Sequence, residues 1–402
     1  MLSTASAQVV RATLPAVGAA VGDITPVFYR RMFAARPDLQ RDLFNRGNQA
    51  RGDQQRALAD AIASYATLLV AEDGEDPGTV LPRIAHKHAS LGITPAQYAI
   101  VHEHLFAAIV EVLGDAVTPE VAAAWDEVYW DMANALIGIE KGLYDAAGVA
   151  PGEVWRTLTV TGRLQESPDT VSFTLATPDG SPLAPALPGQ YVSVGVRLPD
   201  GARQIRQYSL TRVPTKGTIG ISVKAVPASP EGAPAGEVSN FLHDNVFEGD
   251  TLEVSAPFGE LTLTDGDSPL VLASAGIGVT PMIGFLRHLR KSGSKRQVVV
   301  LHADRSPARH AHRAELKSLV DELPDATLVR WYEDLGSRAE DDQLRSGRID
   351  LADVELPEDA DAYLCGPLPF MAAVHRSLLD RGVDGERIRY EVFGPSRELV
   401  AG

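Results

Sequence analysis

The amino-acid sequence predicts a multi-domain fold, in which an all-α domain is followed by an antiparallel β-barrel and then by a doubly wound α/β domain. Three patterns predict it. Apolar residues recur with helical spacing over 1–148, polar and apolar residues alternate over much of 151–264, and strands alternate with helices over 265–402. A chain of 402 residues is long enough to form more than one core.

The all-α domain is predicted from apolar stripes and from the residues that start its helices. Two Thr-Pro pairs, at 94–95 and 118–119, indicate a helix N-cap followed by a first-turn proline. Glycine and proline separate the helical segments. The apolar stripes with helical spacing lie at residues 58–69, 81–91, 98–112 and 132–143.

The pattern changes after the small-residue segment 146–154, which we interpret as a linker. Closely spaced strands with turn signals between them predict a small antiparallel barrel. From about residue 268, strands alternate with helices, as in a parallel, doubly wound sheet. The predicted barrel strands are 157–164, 170–175, 190–196 and 218–225.

Composition limits the partners. The formal net charge of −16 argues against nucleic acid or an anionic membrane as the main partner. The N-terminus is a poor signal peptide, and no apolar run approaches the ~20 residues of a membrane helix. The one cysteine, Cys365, can form no internal disulfide. We therefore expect a cytoplasmic monomer without an obligate membrane partner.

One predicted barrel strand carries Arg206, Gln207, Tyr208 and Ser209. An arginine fork suits phosphate oxygens, a tyrosine offers an aromatic face, and a serine can hydrogen-bond a ring edge. These properties fit a flavin nucleotide. Taken alone, the four residues fit an ordinary strand with polar alternation equally well.

Two glycine-containing segments precede predicted helices. In Gly236–Asn240, Val238 and Ser239 open a helix whose backbone N–H groups could bind a phosphate, although a simple capped helix would look the same. The second segment follows a strand and offers close backbone approach to a pyrophosphate, but it lacks the third glycine of the dinucleotide fingerprint. It consists of Gly276, Ile277, Gly278, Val279, Thr280 and Pro281.

Cys365, Gly366 and Pro367 end a later strand, where ligands bind in parallel sheets. A buried small hydrophobe is the alternative interpretation of the cysteine. In this order, the four motifs resemble the ferredoxin–NADP reductase superfamily. The resemblance implies FAD held by Arg206, Tyr208 and Ser209 with Tyr191 nearby, and a nicotinamide site at the last two motifs. The segment implied to close over the flavin is Glu391, Val392, Phe393, Gly394 and Pro395.

Five polar residues interrupt apolar helix faces in the all-α domain: Tyr29, Gln54, His88, Tyr98 and Glu140. Each alone is more often a satisfied core residue. Together they indicate a polar-lined cofactor pocket, because a buried Glu140 needs a partner and a metal-bound imidazole N–H would supply one. Most of the other histidines, such as His310 and His312, have charged neighbours in the sequence and are predicted to be solvated.

Four segments then resemble the globin domain of flavohaemoglobins, the bacterial and fungal nitric oxide dioxygenases: FYRRMF, LFNRGNQARGDQQRAL, RIAHKHASLGITPAQY and NALIGIEKGLY. The resemblance implies that His88 binds haem iron, with Tyr98 and Glu140 behind it. It implies that Tyr29 and Gln54 lie beside bound oxygen. Further implied positions are Leu58 and Phe44 in the haem pocket, and Lys87 and Glu391 near the haem–flavin junction.

The resemblance implies haem b, FAD and NADH or NADPH as cofactors, and oxidation of nitric oxide to nitrate with O2. Three alternatives stay open: a peroxide or lipid hydroperoxide reductase, an oxygen-sensing or storage globin with its own reductase, and an oxygenase reductase whose helical domain docks a partner. Arg305 and Arg309 could meet a 2′-phosphate or be solvated. Members of the family often have cysteine where Val392 stands, and loop 226–236 is longer here.

Overall fold

The helical region follows the expected pattern. The computed structural model describes residues 2–71, 76–229 and 234–394. Within these residues the first part of the chain is helical throughout, apart from short turns. Its helices are α1 (Thr4–Ala35), α2 (Pro37–Asp42), α3 (Arg46–Ala50), α4 (Asp53–Val70), α5 (Pro82–Leu91), α6 (Pro95–Leu113) and α7 (Pro119–Ala147).

Local sequence explains where these helices begin and end. Both Thr-Pro predictions are confirmed, since α6 and α7 begin at the proline and have the threonine as N-cap. The Thr94 N–H donates to Gln97 Oε1 at 2.8 Å, which completes a capping box. Helix α5 starts at Pro82 and ends at Leu91, and its C-cap is Gly92, whose φ of +76° favours glycine.

The barrel closes with the strand order β1-β2-β5-β4-β3-β6. Its pairs β1–β2, β2–β5, β4–β5 and β3–β6 are antiparallel. The short strand β6 was not predicted, because its five residues contain only two apolar positions. The elements are β1 (Trp155–Ser167), β2 (Thr170–Ala176), β3 (Tyr191–Arg197), β4 (Arg203–Thr215), β5 (Thr218–Lys224), α8 (Glu237–Asn245) and β6 (Thr251–Ser255).

The last region contains a parallel sheet with the order β10-β9-β8-β7-β11-β12. The chain runs outward from β7 to β10 and then returns to the other side of β7, so that β7 and β11 are neighbours at the point of reversal. Strands β10 and β12 are short and were not predicted. The elements are β7 (Leu270–Ala275), α9 (Val279–Ser292), β8 (Val298–Asp304), α10 (Arg313–Asp321), β9 (Ala326–Tyr332), β10 (Leu344–Ser346), β11 (Asp361–Cys365), α11 (Leu368–Asp380) and β12 (Ile388–Glu391).

The predicted fold class is confirmed: a helical region, an antiparallel barrel and a doubly wound α/β region follow one another. The chain divides into two compact units. The first contains Met1–Arg156, Ser193–Arg206 and Glu253–Glu260, and the second contains Thr157–Val192, Gln207–Leu252 and Leu261–Gly402. The domain boundaries at 148/151 and 264/265 stay predictions. In the described residues, no helix has both the length and the apolar character needed to cross a membrane.

Candidate functional site

A histidine on α5 is held by polar side chains from two other helices. His88 Nδ1 lies 3.0 Å from the Tyr98 hydroxyl of α6 and 2.9 Å from Glu140 Oε1 of α7. The Tyr98 hydroxyl also donates to Glu140 Oε1. Because this carboxylate oxygen is an acceptor, His88 Nδ1 carries the proton and donates to it. The resulting tautomer leaves the lone pair on Nε2, as in an imidazole that binds a metal ion.

Burial differs across the triad formed by His88, Tyr98 and Glu140. Glu140 is 2% exposed and Tyr98 is 7% exposed. Burial, and then the charge of Glu140, raise the pKa of the Tyr98 hydroxyl, which therefore remains a donor. The His88 side chain is 32% exposed although it lies on the apolar face of its helix. An accessible imidazole beside apolar side chains fits a flat, apolar cofactor lying against it.

The Tyr29 hydroxyl of α1 is a second polar group on an inner helix face. Tyr29 is 4% exposed, and its ring centroid lies 5.6 Å from Phe33 and 5.9 Å from Phe44. Burial raises the pKa of Tyr29, and the nearby side-chain amides of Gln54 and Gln49 oppose that rise. The phenol therefore stays protonated at neutral pH and can donate a hydrogen bond.

Apolar side chains surround this phenol. Leu58 lies one turn after Gln54 on α4 and belongs with Phe44 to the cluster packed around Phe28 and Tyr29. The pocket walls are thus apolar except for the hydroxyl and its amide partners. A donor in such surroundings interacts more strongly with a polar ligand than the same donor in water would.

Lys87 precedes the triad histidine and lies close to other cations. Burial, followed by the charges of Arg83 and Arg206, lowers the pKa of Lys87 to about 8. Arg206 begins the predicted flavin motif, and its Nη1 donates to the Ile205 carbonyl at 2.7 Å. Three cationic side chains this close together fit an anionic group, such as a carboxylate or a phosphate.

Strand β4 carries the rest of that motif, with Gln207 and Tyr208 partly buried and Ser209 5% exposed. Ser209 Oγ is buried and has no hydrogen-bond partner among the described residues. A buried hydroxyl without a partner is unusual, and a ligand atom would satisfy it. This orphaned atom fits the polar edge of a flavin ring.

Two further parts of the predicted flavin site have distinct geometry. Gly189 has a φ of +94°, and a Cβ there would lie 2.1 Å from the Leu261 carbonyl oxygen, so only glycine fits before Tyr191. Helix α8 begins at Glu237 without a side-chain N-cap, which leaves N–H groups of its first turn for an anion. Val238 is fully buried in that turn, and the Ser239 hydroxyl contacts the preceding loop.

The two glycine turns of the predicted nucleotide site meet at the carboxyl ends of β7 and β11. These strands pair with Cys365 beside Ser274. A Cβ on Gly278 would lie 2.2 Å from the Cys365 carbonyl oxygen, and one on Gly366 would lie 3.1 Å from the Ala275 nitrogen. Glycine at both positions therefore brings the two turns together, where ligands bind in sheets of this kind.

Helices α9 and α11 start directly after these turns, and neither has a side-chain N-cap. Gly276 and Ile277 lie in a short 3-10 turn, and Val279, Thr280 and Pro281 are buried in the first turn of α9. Pro367 is the residue before α11. Uncapped helix N-termini at adjacent strand ends fit the phosphates of a dinucleotide.

Cys365 is completely buried, and burial raises the pKa of its thiol well above the usual range, so it is not a nucleophile at neutral pH. Glu391, the last residue of β12, pairs with Cys365 across the sheet. Val392 is buried, and Phe393 is 48% exposed beside Gly394. Pro395 lies outside the described residues, as does 230–233 of the loop that was expected to be longer.

Sequence reasoning missed two polar residues near these sites. Gln49 influences the pKa of Tyr29, although its Nε2 has no hydrogen-bond partner among the described residues, and its position on the five-residue helix α3 shows no apolar stripe. Lys224 ends β5, and its Nζ lies 3.9 Å from the point where a Cβ on Gly276 would stand. The one feature of the sequence that could have indicated this residue was its position at the end of a predicted strand. Arg309, for which the sequence allowed either a 2′-phosphate or solvent as partner, donates to Asp169 at 2.9 Å.

The expectation that His310 and His312 are solvated is wrong: they are 2% and 3% exposed. His310 stacks on His302 with ring centroids 3.8 Å apart, and its Nδ1 contacts the Tyr332 hydroxyl at 2.7 Å. His312 Nε2 contacts the Ser222 hydroxyl at 2.7 Å. Both rings pack against other parts of the chain, and the charged neighbour Glu315 contacts His312, its Oε2 lying 3.0 Å from His312 Nδ1.

The helical region with its carboxylate-backed histidine, followed by a barrel and a nucleotide-binding sheet, defines a globin joined to a flavin-dependent oxidoreductase. Family models agree with each part. The globin model matches residues 27–136, the oxidoreductase FAD-binding domain matches 157–263, and the oxidoreductase NAD-binding domain matches 272–376.

Known proteins resemble the chain over its whole length. A flavohemoprotein of Bordetella parapertussis is 45% identical over 98% of this chain and 99% of its own. The crystal structure of a flavohemoglobin from Malassezia yamatoensis with bound FAD and heme covers 98% of this chain and all of its own, with a TM-score of 0.88 and 38% identity.

A third similar structure is the FAD/NAD-binding domain of nitric oxide dioxygenase from Vibrio cholerae O1 biovar El Tor. It covers 60% of this chain and all of its own, with a TM-score of 0.55 and 37% identity. The chain belongs to the flavohaemoprotein family of oxidoreductases. Its cofactors are haem, FAD and a nicotinamide nucleotide.

Proposed function

We propose that the protein is a nitric oxide dioxygenase, which oxidises nitric oxide to nitrate with O2 and electrons from NADH or NADPH. The observation that carries the proposal is the buried, protonated Tyr29 phenol among apolar side chains, in a domain that also backs His88 with a carboxylate. The relative from Vibrio cholerae named as a nitric oxide dioxygenase supports it.

The haem supplies an iron centre for O2 and nitric oxide, and FAD converts a hydride from the nicotinamide into single electrons. In our proposal His88 Nε2 holds the iron. Glu140 and Tyr98 fix the tautomer and orientation of the imidazole through Nδ1. A carboxylate behind the histidine makes the ring a stronger electron donor to the metal.

Tyr29 donates a hydrogen bond from its hydroxyl to O2 in the pocket, and Gln54 assists it. A preorganised donor directed at developing negative charge gives a large part of the stabilisation that a protein can offer. Leu58 and Phe44 exclude water from this side. Because burial keeps the Tyr29 phenol protonated, the donor is present throughout the neutral pH range.

The barrel and sheet supply the electrons. We assign FAD to Arg206, Gln207, Tyr208 and Ser209 of β4, with the uncapped α8 N-terminus for phosphate oxygens. We also assign Tyr191, Val238, Ser239 and the segment Glu391 to Pro395 to the FAD site. The Gly276–Pro281 and Cys365–Pro367 turns would hold the nicotinamide nucleotide, and we assign Lys87 to the haem–flavin junction.

Consumption of nitric oxide tests the proposal directly. Purified protein with haem and FAD, supplied with NADH and O2, should remove nitric oxide and form nitrate in equal amount. Omitting O2 should stop both. The rival activity is reduction of peroxide or of a lipid hydroperoxide. The carboxylate behind His88 favours it, because such a carboxylate also suits heterolysis of an O–O bond. Both substrates should therefore be compared with nitric oxide at the same enzyme concentration. Faster turnover of either one than of nitric oxide would contradict the proposal.

A further inference from the structure

His312 connects the nucleotide-binding region to two neighbouring strands of the barrel. Its Nε2 lies 2.7 Å from the Ser222 hydroxyl of β5 and 3.4 Å from the Ser172 hydroxyl of β2. The two serines are partners in the register of these strands, and their hydroxyls are 2.8 Å apart. All three residues belong to the second compact unit. One edge of the imidazole is therefore attached to the barrel at two adjacent strands.

The other edge of the ring contacts carboxylates from both regions. His312 Nδ1 lies 3.0 Å from Glu315 Oε2 of α10 and 3.4 Å from Glu166 Oε1 of β1. The His312 N–H donates to Glu166 Oε2 at 3.3 Å, and the Ser172 hydroxyl donates to Glu166 Oε1 at 2.7 Å. Although burial opposes it, the contacts with His312 and with Arg287 of α9 lower the pKa of Glu315 to about 2. Glu315 therefore remains a charged acceptor for the ring at neutral pH.

The backbone of His312 is held in an unusual conformation. His312 is the residue before α10 and has a φ of +58°, in the left-handed region that few residues other than glycine adopt. Its side chain is almost completely buried. A role as N-cap does not explain the ring, because the side chain makes no capping hydrogen bond to α10. Strained positions persist where the surroundings determine them, and they cluster at functional sites.

The two regions that His312 connects hold different cofactors in the proposed sites. The glycine turns proposed for the nicotinamide nucleotide lie in the α/β region. The unpartnered Ser209 Oγ proposed for FAD lies on β4, and Leu210 beside it pairs with Ile221 beside Ser222. Hydride transfer needs the reacting atoms about 3–3.5 Å apart. A displacement of one region against the other would therefore change the distance on which the transfer depends.

We propose that His312 is a positioning residue for hydride transfer: it holds the nucleotide-binding region on the barrel so that the nicotinamide meets the flavin. This inference rests on the proposed FAD and nucleotide sites and is independent of what the haem oxidises. The transfer moves a hydride, with its electron pair, from NADH to FAD, and a solvent proton completes FADH2. Because the proposed nucleotide contacts lie in the α/β region, loss of the His312 contact should slow this step and leave NADH affinity unchanged.

Two substitutions of different length separate the contact with the barrel from a local role of His312. The amide in His312→Gln can reach the position of Nε2 and keep the Ser222 contact. The amide in His312→Asn reaches only the position of Nδ1, so it retains the Glu315 contact and suits a left-handed backbone, but it loses the barrel.

Stopped-flow reduction of FAD by NADH measures the difference. The limiting rate should stay near the wild-type value in His312→Gln and fall about tenfold in His312→Asn, since a misplacement of about 1 Å can cost as much as a hundredfold. The half-saturating NADH concentration should change by less than about twofold in both variants, because the nucleotide keeps its own contacts.

A second readout does not depend on turnover. NAD⁺ stacked on reduced FAD gives a long-wavelength absorption band whose intensity reports the overlap of the two rings. When NAD⁺ is added to the anaerobically reduced protein, this band should be weaker in His312→Asn and of wild-type intensity in His312→Gln. His288→Asn, the same substitution at an exposed site on α9, is the matched control and should leave both readouts unchanged.

Ser222→Ala breaks the same contact from the barrel side, and it provides the test if His312→Asn does not retain FAD. It should slow FAD reduction as well, and in combination with His312→Asn it should add little, because both changes remove one contact. Wild-type rates and band intensity in His312→Asn and Ser222→Ala would overturn the inference. A loss in His312→Gln as large as that in His312→Asn, or a change confined to NADH affinity, would overturn it too.

Failure of the inference and failure of the proposed function give different results. Wild-type protein that reduces FAD with NADH but does not consume nitric oxide would remove the proposed activity and leave the measurements on His312 standing. Wild-type protein with full nitric oxide consumption, combined with normal FAD reduction in His312→Asn and Ser222→Ala, would retain the activity and show that other contacts position the two regions.

Discussion

The helical region and the nucleotide-binding region build their sites from different parts of the chain. In the helical region, Tyr98 and Glu140 reach within 3.0 Å of His88 through side chains from separate helices. In the nucleotide-binding region, the backbones of Gly278 and Cys365 approach each other so closely that a Cβ does not fit between them. The first site should be sensitive to the loss of a functional group, and the second to the gain of a methyl group.

The largest effect should come from His88→Ala, which removes the one proposed iron ligand from the chain. We expect the variant to lose its haem and its Soret absorption band while it retains flavin absorption. His104→Ala, on the neighbouring helix α6, is the matched control and should keep both. A normal haem spectrum in His88→Ala would exclude His88 as the ligand.

The opposite change tests the backbone site. In Gly278→Ala the new methyl group would lie 2.2 Å from the Cys365 carbonyl oxygen, so the two turns must separate. Overpacking of this kind costs about 1–3 kcal/mol. We expect stopped-flow reduction of FAD by NADH to slow at least about tenfold, with the haem spectrum unchanged.

Gly385→Ala is the control for that measurement, since a Cβ there meets nothing nearer than 3.5 Å. It should reduce FAD at the wild-type rate. If Gly278→Ala also reduces FAD normally, the close approach of the two turns has no part in nucleotide binding, and the contrast between the two regions fails.

A smaller effect is expected from Glu140→Gln, which keeps an oxygen acceptor for Tyr98 and His88 but removes the buried negative charge. Haem should stay bound. The midpoint potential of the haem iron should rise, because the histidine becomes a weaker donor. Spectroelectrochemistry measures this, with Glu103→Gln on the surface of α6 as the control. An unchanged potential would mean that Glu140 only fills space.

The smallest effect should be a pH dependence of stability in the nucleotide-binding region. Burial lowers the pKa of both His302 and His310, and for His302 it outweighs the opposing hydrogen bond and charge of Asp304. The unfolded state therefore binds more protons once the pH drops below the ordinary histidine value of about 6.5. Stability is present above that pH and is lost as the pH falls below it.

Thermal unfolding of the flavin-loaded protein between pH 7.5 and 5.5 checks this sign. The midpoint should fall as the pH falls, and His310→Gln, which can still meet the Tyr332 hydroxyl, should flatten the slope. His375→Gln, at the partly buried edge of α11, should not. A slope of the opposite sign in the wild-type protein would show that the stacked rings are stabilised when charged.

These histidines also mark the limit of sequence reasoning. His88 lies on an apolar helical stripe, so a period of about 3.6 residues placed it on the inner face. His310 and His312 follow the strand β8 in a loop, where no period exists, and their charged neighbours predicted exposure. The structure buries them because Tyr332 and Ser222, distant in the sequence, supply hydrogen bonds. Burial in a loop depends on such partners and not on local pattern.

The sequence alone determined the order of the three regions, the helix N-caps at Thr94 and Thr118, and the glycine turns. Each depends on local rules: side-chain period, N-capping and the space that a Cβ needs. The tertiary structure decided which polar groups meet. Glu140 reaches His88, and Ser209 Oγ has no hydrogen-bond partner among the described residues. Both facts depend on which residues approach each other through space, which no local period encodes.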